Sequence, residues 1–412
     1  MRNITKWLLP AVAPCLLFMF ACSKKSGAPV TPGSSDSATV NVLNGYGSGR
    51  YRVGDTVDIW SKAIAADSVF NSWSGYGNLM ANAGEWHNSF IMPAADVTLT
   101  ASCNYLAPFA LKYEKIKGVN NLKNVYYYFP PAPKGVVYLL HGTGGSAQNL
   151  VGNFEWQQMI SDLVYAGYGI VVTEAEEVTL NTDLNGDGKI RWEQLPVDTL
   201  SNIDYGNIRA LTDTFYGRGY ASPSAPRYSI GMSDGGGFSG ALSFVYKYAA
   251  GVSYCAPTSA VVTTTSVTPL QFCMAKYDNA PEVGPAGDAL AQTNSGALTA
   301  RGICSPFNLH DHSRVYPQRW ARWSGISLSL SQSIYNELQS NHLLDSRSYL
   351  LLTADSIGAR VAASSASYPV ISSLNLVQYT FVSNELDVMF AAHQFFSDYD
   401  KTTIHFLGAP CH

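Results

Sequence analysis

The segment Arg227–Phe238 reads RYSIGMSDGGGF and limits the fold more than any other stretch of the chain. It joins a short apolar run to a glycine-rich turn with Ser233 at its centre, and a helix-forming run follows. A serine at the apex of such a turn is strained, and glycines on either side tolerate the strain because they have no side chain to collide. The turn lifts the hydroxyl out of a sheet, and the next helix points its first amides at a developing oxyanion. We therefore predict a nucleophile elbow, against the alternative of an ordinary Gly/Ser turn, since G-x-S-x-G also occurs by chance.

The composition is typical of a globular protein without a polyanion-binding surface. Charged residues make up 14% of the 412 residues, and the formal net charge is −4. Aromatic residues are plentiful, with 25 Tyr and 8 Trp, and aliphatic and β-branched residues fill the runs between the glycines. We therefore expect no nucleic-acid partner.

The first 22 residues have the pattern of an export signal. Arg2 and Lys6 precede an apolar run over residues 7–21, which is short for a membrane-spanning helix. The run ends at Cys22 and resembles a bacterial lipoprotein signal, which implies lipidation of Cys22; the alternative is an ordinary secretory signal cut nearby. Residues 23–37 are rich in Ser, Gly and Pro and predict a flexible tether. We expect an extracytoplasmic lipoprotein, periplasmic or at the cell surface, held to the membrane by this anchor.

Five of the seven cysteines lie beyond Cys22. They are Cys103, Cys255, Cys273, Cys304 and Cys411. The odd number permits two disulfides and one free thiol, and the sequence leaves the pairing open. No C-x-x-C pair or Cys/His cluster in the sequence indicates zinc.

Residues 38–105 show strand-like alternation without a helical period. Their motifs resemble the divergent internalin-B-type repeat modules of bacterial surface proteins. The matching segments are Gly54–Val57, Phe70–Gly75 and Met92–Leu99. The resemblance implies a small all-β, β-grasp-like module with Trp73 in its core, of a kind that usually serves as a spacer or adhesive unit. Whether Trp60 and Trp86 pack internally or bind a carbohydrate or a partner stays open.

Residues 106–412 alternate strand and helix patterns, which favours a mostly parallel sheet covered on both faces. The predicted strands are 111–116, 124–129, 135–140, 169–173, 227–230, 252–256 and 269–275. The predicted helices are 154–166, 204–217 and 236–249.

The Gly-rich segment His141–Ser146 follows the buried strand pattern over residues 136–140. It lacks the Gly-Lys-Ser/Thr of a phosphate loop. With an elbow downstream, the better interpretation is an oxyanion loop in which the amides of Thr143 and Asp234 donate to the substrate oxygen. We interpret His141 as a brace of this loop.

The elbow and this loop together resemble the α/β-hydrolase superfamily, over most of residues 106–412. The resemblance implies an α/β fold with an eight-stranded, mostly parallel sheet and a Ser–acid–His triad in that chain order. Asp278, just past the strand pattern 269–275, is the predicted acid, with Glu282 and Asp288 as alternatives.

His393 is the predicted base, because the resemblance places the histidine late in the chain. It follows the strand-like run 376–382, and Phe395 and Phe396 are predicted to begin the last helix. Rival histidines are His310 and His312, with His405 and His412 less well placed.

The 115-residue separation of Asp278 and His393 predicts an insertion or lid over residues 285–372. Trp320 and Trp323 in this insertion are predicted to bind substrate, and residues 328–344 have a helical pattern.

The segment Asp183–Ile190 reads DLNGDGKI, like the opening of a calcium loop. Asp183, Asn185, Asp187 and Lys189 occupy the ligand positions, but Gln194 stands where the closing acid belongs. The alternative is a polar turn. A calcium ion here would be structural, and no cofactor is required for the predicted chemistry.

These features predict a secreted serine esterase that acts on carboxylic esters, with acylated polysaccharides or polyesters as substrate classes. A serine peptidase of the same fold and a non-catalytic surface adhesion protein remain alternatives.

Overall fold

The structure, a computed structural model, describes residues 36–411. The predicted signal, the lipidated Cys22 and nearly all of the tether lie outside the described residues, so they remain predictions. Residues 37–412 form one compact unit, and the predicted boundary between residues 105 and 106 falls inside it. None of the helices within residues 36–411 has both the length and the hydropathy of a membrane-spanning segment.

The N-terminal part of this unit is built from strands that enclose Trp73. The strands are β1 (Ser37–Leu43), β2 (Gly45–Tyr46), β3 (Gly49–Arg52), β4 (Thr56–Ser61), β5 (Ser68–Ser74), β6 (His87–Ile91) and β7 (Val97–Tyr105). They form one sheet of order β3-β1-β7-β5 and one of order β2-β4-β6. Trp73 is buried and donates its indole N–H to the Glu85 carbonyl oxygen at 3.0 Å. Trp60 and Trp86 are buried as well, so both pack internally. We call residues 37–105 the β module.

The rest of the chain is organised around a mixed sheet of eight strands. These are β8 (Lys112–Lys117), β9 (Leu122–Tyr128), β10 (Val136–Leu140), β11 (Gly169–Thr173), β12 (Arg227–Met232), β13 (Ala250–Tyr254), β14 (Leu270–Ala275) and β15 (Phe307–His310). The spatial order is β15-β14-β13-β12-β10-β11-β9-β8. Neighbours from β11 to β15 are parallel, whereas β9 is antiparallel to β11 and to β8. The carboxyl ends of the parallel strands therefore meet at one edge, where ligands bind in open α/β sheets.

Helices cover both faces of this sheet. They are α1 (Ala147–Gly152), α2 (Phe154–Tyr165), α3 (Glu176–Leu180), α4 (Ile203–Gly217), α5 (Asp234–Tyr246), α6 (Ala260–Thr265), α7 (Gly284–Ala300), α8 (Leu328–Ser340), α9 (Ala354–Ala363), α10 (Leu376–Phe390) and α11 (Asp400–Gly408). Strand β10 is buried along its length because its side chains alternate between two cores. Val137 and Leu139 pack with α2 and α11, and Val136, Tyr138 and Leu140 pack with α4 and α5.

The structure corrects the prediction for residues 376–382, which lie in α10 rather than in a strand. Asn375 and Gln378 form a capping box that starts this helix and outweighs the strand-like run. The last helix begins at Asp400, so Phe395 and Phe396 precede it in the loop.

The predicted insertion over residues 285–372 also divides differently. Helix α7 and strand β15 belong to the sheet and its cover. The irregular part therefore starts after His310, and α8, α9 and α10 share a separate core there.

One disulfide is present in the described part of the chain. It joins Cys304, just before β15, to Cys411, three residues after α11 ends. Cys103 is free and exposed, whereas Cys255 and Cys273 are free and buried.

The β module is joined to the large sheet by buried polar contacts. Trp86 lies under the Arg322 guanidinium, 3.6 Å from the ring centre, and Arg322 donates to Glu155 of α2 at 2.8 Å. Glu85 accepts hydrogen bonds from the backbone N–H groups of Lys401 and Thr402 in the first turn of α11. Through these contacts the β module packs against α2, α11 and Arg322 of residues 106–411, which we call the large domain.

We predict that Trp86→Ala lowers the free energy of unfolding by about 3–5 kcal/mol, because it removes a buried aromatic ring. The whole unit should unfold in one transition, since the module shares buried charges with the large domain. Chemical denaturation followed by circular dichroism and tryptophan fluorescence measures both. Tyr76→Ala, at an exposed site of the same module, is the control and should shift stability by about 0.5 kcal/mol or less. Two separate transitions, with only the first shifted by Trp86→Ala, would contradict this account.

Candidate active site

Ser233 lies in a strained turn between β12 and α5. Its φ of 57° and ψ of −125° are in a region that favours glycine. A side chain at Gly231 would collide with the carbonyl group of Gly235, and one at Gly235 would collide with the backbone of residues 140 and 141. The two glycines therefore let β12 turn sharply into α5. A hydrogen bond from Ser233 N–H to the Tyr254 carbonyl at 2.8 Å stabilises the strained backbone conformation of Ser233.

The structure brings Ser233, His393 and Asp278 into one hydrogen-bonded chain. His393 Nε2 lies 2.8 Å from Ser233 Oγ, and His393 Nδ1 lies 2.6 Å from Asp278 Oδ2. Because a carboxylate only accepts, Nδ1 carries the proton and Nε2 is free to accept from the serine hydroxyl. Asp278 is buried, whereas 19% of the His393 side chain is exposed. A hydroxyl, an imidazole and a carboxylate are thus aligned as a nucleophile, a base and an orienting group would have to be.

Each of these residues follows an element that ends at the same edge of the sheet. Ser233 follows β12 and Asp278 follows β14. His393 comes two residues after Ala391, whose left-handed conformation ends α10. Asp278 Oδ1 accepts from the Ala280 N–H at 2.9 Å, which fixes the carboxylate.

The predicted oxyanion donors lie beside the serine. Thr143, Asp234, Ser233 and His393 line the same cavity of about 620 Å³. Asp234 is the first residue of α5, so its N–H has no acceptor within the helix. The Thr143 N–H has no acceptor among the residues that the structure describes. Both amides are therefore available to a ligand.

His141 holds the loop that carries Thr143 and does not contact Ser233. Its Nδ1 donates to the Gly142 carbonyl at 2.7 Å, and its Nε2 accepts from the Ala175 N–H at 3.1 Å. Burial lowers the pKa of His141 to about 4, so the ring is neutral and can serve both partners. The geometry agrees with the interpretation of His141 as a brace.

Buried carboxylates fix the loop whose residues Lys189, Arg191 and Gln194 line the same cavity as Ser233. Glu177 accepts from the Leu184 and Arg191 N–H groups. Asp234 accepts from the Trp192 N–H at 2.8 Å and from Gln194 Nε2 at 2.6 Å. Burial raises the pKa of Asp234 to about 6, although both donors oppose the shift. Asp234, whose amide is the second predicted oxyanion donor, thus also anchors this loop through its side chain.

The predicted calcium loop is closed by its own hydrogen bonds. Asp183 accepts from the N–H groups of Gly186 and Gly188, and Asn185 accepts from Asp187 N–H. Arg191 donates to Asp187 Oδ2 at 2.6 Å and so supplies the positive charge that an ion would supply.

The residue at the closing position of the loop is engaged elsewhere, since Gln194 donates to Asp234. Lys189 would offer its backbone carbonyl, while its ammonium pairs with Glu282. The donor set lacks the closing carboxylate of a complete calcium site, and calcium binding stays a prediction.

The two tryptophans predicted to bind substrate lie away from Ser233. Trp320 has no exposed surface and packs with Ile334 and Leu338. Trp323 lines a different cavity, together with Phe154. The prediction is wrong for Trp320, because a fully buried ring cannot touch a ligand, and Trp323 does not line the cavity of Ser233.

The rival histidines have other partners. His310 Nε2 donates to the Val388 carbonyl at 2.9 Å, and its ring stacks on Phe396. His312 packs against Phe390. Neither contacts Ser233, and their burial lowers the pKa of both rings.

Sequence reasoning missed the wall formed by residues 256–260 and 280–283. The signal was present: both segments follow predicted strands, so they had to lie at the edge of the sheet that carries Ser233. It also missed Cys255, which lies beside Asp278 and His393.

Comparison with known proteins finds solved structures that resemble part of this chain, but with low sequence identities and low TM-scores. No family profile and no curated protein match the chain. The esterase PF2001 of Pyrococcus furiosus is 13% identical over 49% of this chain and 81% of that one, with a TM-score of 0.36. XC6422 of Xanthomonas campestris, a serine hydrolase without a lid, is 14% identical over 50% of this chain and 86% of its own, with a TM-score of 0.34. Dienelactone hydrolase of Anabaena variabilis is 15% identical over 49% and 86%, with a TM-score of 0.35. These values are too low to bear on activity, which rests on the geometry above.

We predict that His141 makes stability sensitive to acid. Its pKa is about 4 in the folded protein, against an ordinary value of 6.5, so the unfolded chain binds the proton more readily between these values. Its contribution to the free energy of unfolding is therefore complete above about pH 6.5 and is lost as the pH falls through about 4. Urea unfolding at pH 7.5 and pH 4.5 measures the loss, and His141→Gln, which does not titrate, should lose less than the wild type.

The exposed His342 provides the matched control for this measurement. The His342→Asn variant should show the same loss of stability on acidification as the wild type. Equal losses for the wild type and His141→Gln would contradict the brace.

Proposed function

We propose that this protein is an extracytoplasmic serine hydrolase of the α/β-hydrolase superfamily that cleaves carboxylic esters. The observation that carries the proposal is the hydrogen-bonded chain Ser233–His393–Asp278 at the carboxyl edge of a mixed eight-stranded sheet. The strained conformation of Ser233 supports it, because such strain persists only where the surrounding structure enforces it.

In the proposed reaction, His393 removes the proton of the Ser233 hydroxyl as Oγ attacks the ester carbonyl. Asp278 keeps the Nδ1–H tautomer and stabilises the imidazolium. The amides of Thr143 and Asp234 donate to the oxyanion of the tetrahedral intermediate. His393 then gives its proton to the leaving alcohol and activates the water that hydrolyses the acyl-enzyme.

The cavity supports an ester of moderate size as the substrate. Its volume of about 620 Å³ is within the usual range for small-molecule sites. Apolar lining from Pro257, Val283 and Leu290 suits an acyl or aromatic group, and Lys189 and Glu282 provide polar contacts at the mouth. We propose acylated polysaccharides, feruloyl-type esters or polyesters as substrate classes, met by a lipid-anchored protein outside the cytoplasm.

Substitution within the triad should reduce kcat on a p-nitrophenyl ester by orders of magnitude. We expect a loss of about 10⁴-fold for Asp278→Asn, which allows the wrong tautomer, and about 10⁶-fold for Ser233→Ala or His393→Ala. Steady-state kinetics on the purified variants measure these losses. His312→Gln is the control, because His312 lies outside the triad and should leave kcat within a few-fold of the wild type. Full activity in His393→Ala would overturn the proposal.

The two alternative functions are separated by labelling and by substrate. A surface adhesion protein with an inactive triad would not react with a fluorophosphonate at Ser233, whereas a serine hydrolase would. A serine peptidase would also be labelled, but it would hydrolyse peptide amides as well as esters of the same acyl group, whereas the proposed esterase would leave the amides intact.

A further inference from the structure

The fold brings a thiol against the proposed triad. In the part of the chain that the structure describes, one group of three His, Cys, Asp or Glu side chains has ligand atoms within 4.8 Å of one another. It consists of Cys255, Asp278 and His393. These residues are far apart in the sequence, which is why the spacing of the cysteines gave no sign of a metal site.

Cys255 is held in this place by its backbone. It directly follows β13, and its φ of 48° is left-handed, so the chain turns away from the strand at this point. Its N–H donates to the Cys273 carbonyl of β14 at 2.9 Å, and its Sγ donates to the carbonyl of Gln394, the neighbour of His393, at 3.5 Å. The thiol is fully buried, whereas His393 is partly exposed and lines the cavity.

We propose that Cys255, Asp278 and His393 form an inhibitory binding site for a thiophilic divalent cation such as Zn²⁺ or Cd²⁺. A sulfur, an imidazole nitrogen and a carboxylate oxygen are the donors that zinc accepts in tetrahedral sites, with the fourth position left for water. The donor atoms lie within 4.8 Å of one another, whereas two ligands of a tetrahedral zinc, each bound at about 2.0–2.3 Å, lie about 3.3–3.8 Å apart. The thiol would therefore move closer by up to about 1 Å, and His393 Nδ1 and Asp278 Oδ2, now 2.6 Å apart, would separate by about 1 Å.

The electrostatics of the pocket also favour a cation. Asp288 has a buried carboxylate oxygen with no hydrogen-bond partner among the described residues. The Asp278 carboxylate is within 4.8 Å of the thiol and the imidazole, so a dication bound there would be stabilised by its charge and would in turn stabilise the Cys255 thiolate directly.

Binding would stop catalysis through the tautomer of His393. The cation takes the Nδ1 lone pair, so the proton on Nδ1 moves to Nε2, and the Cys255 thiol releases its proton to solvent. The ring stays neutral overall, one proton is released per ion, and no redox change occurs. With a proton on Nε2, the ring cannot accept the proton of Ser233, and Asp278 no longer holds Nδ1–H.

The test titrates the purified protein, without added thiol, with CdCl₂ and follows the ultraviolet absorption of the cadmium–thiolate bond. We expect one ion per chain in the wild type. Cys255→Ala, and Cys255→Ser as a variant of similar size, should lose at least about 100-fold in affinity. Cys103→Ala removes the exposed free thiol and is the matched control, so it should keep wild-type affinity. Absence of the band in the wild type, or its persistence in Cys255→Ala, would overturn the site.

The inhibition rests on the proposed function and is measured separately. Zn²⁺ should lower esterase activity at least about tenfold in the wild type and in Cys103→Ala, EDTA should restore it, and Cys255→Ala should be insensitive. Ca²⁺, which prefers oxygen ligands, should not inhibit. Equal inhibition of the wild type and Cys255→Ala, or activation by Zn²⁺, would overturn the inhibitory role. A cadmium–thiolate band in a protein without esterase activity would keep the metal site and refute the proposed function instead.

Discussion

The hydrogen bond between His393 Nδ1 and Asp278 Oδ2 is the contact on which the proposed catalysis depends. It joins two loops whose residues are 115 positions apart and fixes which nitrogen faces Ser233. Asp278 is positioned by the end of β14, but His393 lies in an irregular segment between α10 and α11. The structure must therefore hold that segment by other means.

Buried charges and the β module hold the segment after His393. Glu155 of α2 accepts from both the N–H and the hydroxyl of Ser397, four residues beyond the histidine. Arg322 pairs with Glu155, and Trp86 of the module covers its guanidinium. Removing one partner from such a buried cluster would leave an uncompensated charge, so we expect the module's contacts to help hold this segment in place.

A second contact of the module reaches the same segment. His87 lies 3.4 Å from Asp398 and 3.7 Å from Asp58. Burial alone would lower the pKa of His87, but the two carboxylates outweigh it and raise the pKa to about 9. The imidazolium thus bridges the module and the loop that carries His393 at neutral pH.

The sequence predicts best what short-range chemistry enforces. Gly231 and Gly235 leave the room that the sharp turn at Ser233 needs. Residues 136–140 and 169–173 are strands because they are apolar and bounded by turns. The sequence is a poorer guide to features that depend on contacts with residues far away in the chain. Trp320 and Trp323 suggested a substrate pocket, but Arg319 and Arg322 in the same run pair with Glu385 and Glu155, and these pairs bury the segment. The run 376–382 has a strand-like pattern, but the capping box of Asn375 and Gln378 starts a helix there. The meeting of Cys255 with Asp278 and His393 has no local signature at all.

In the proposed reaction, Ser233 attacks a carbonyl whose oxygen is then held by two backbone amides. A crystal structure of the protein after reaction with a phosphonate ester tests this step. We expect phosphorus bonded to Ser233 Oγ, with one phosphonyl oxygen about 2.7–3.1 Å from the nitrogens of Thr143 and Asp234. A reagent bound to another residue, or an oxygen that faces away from both amides, would refute the proposed oxyanion hole.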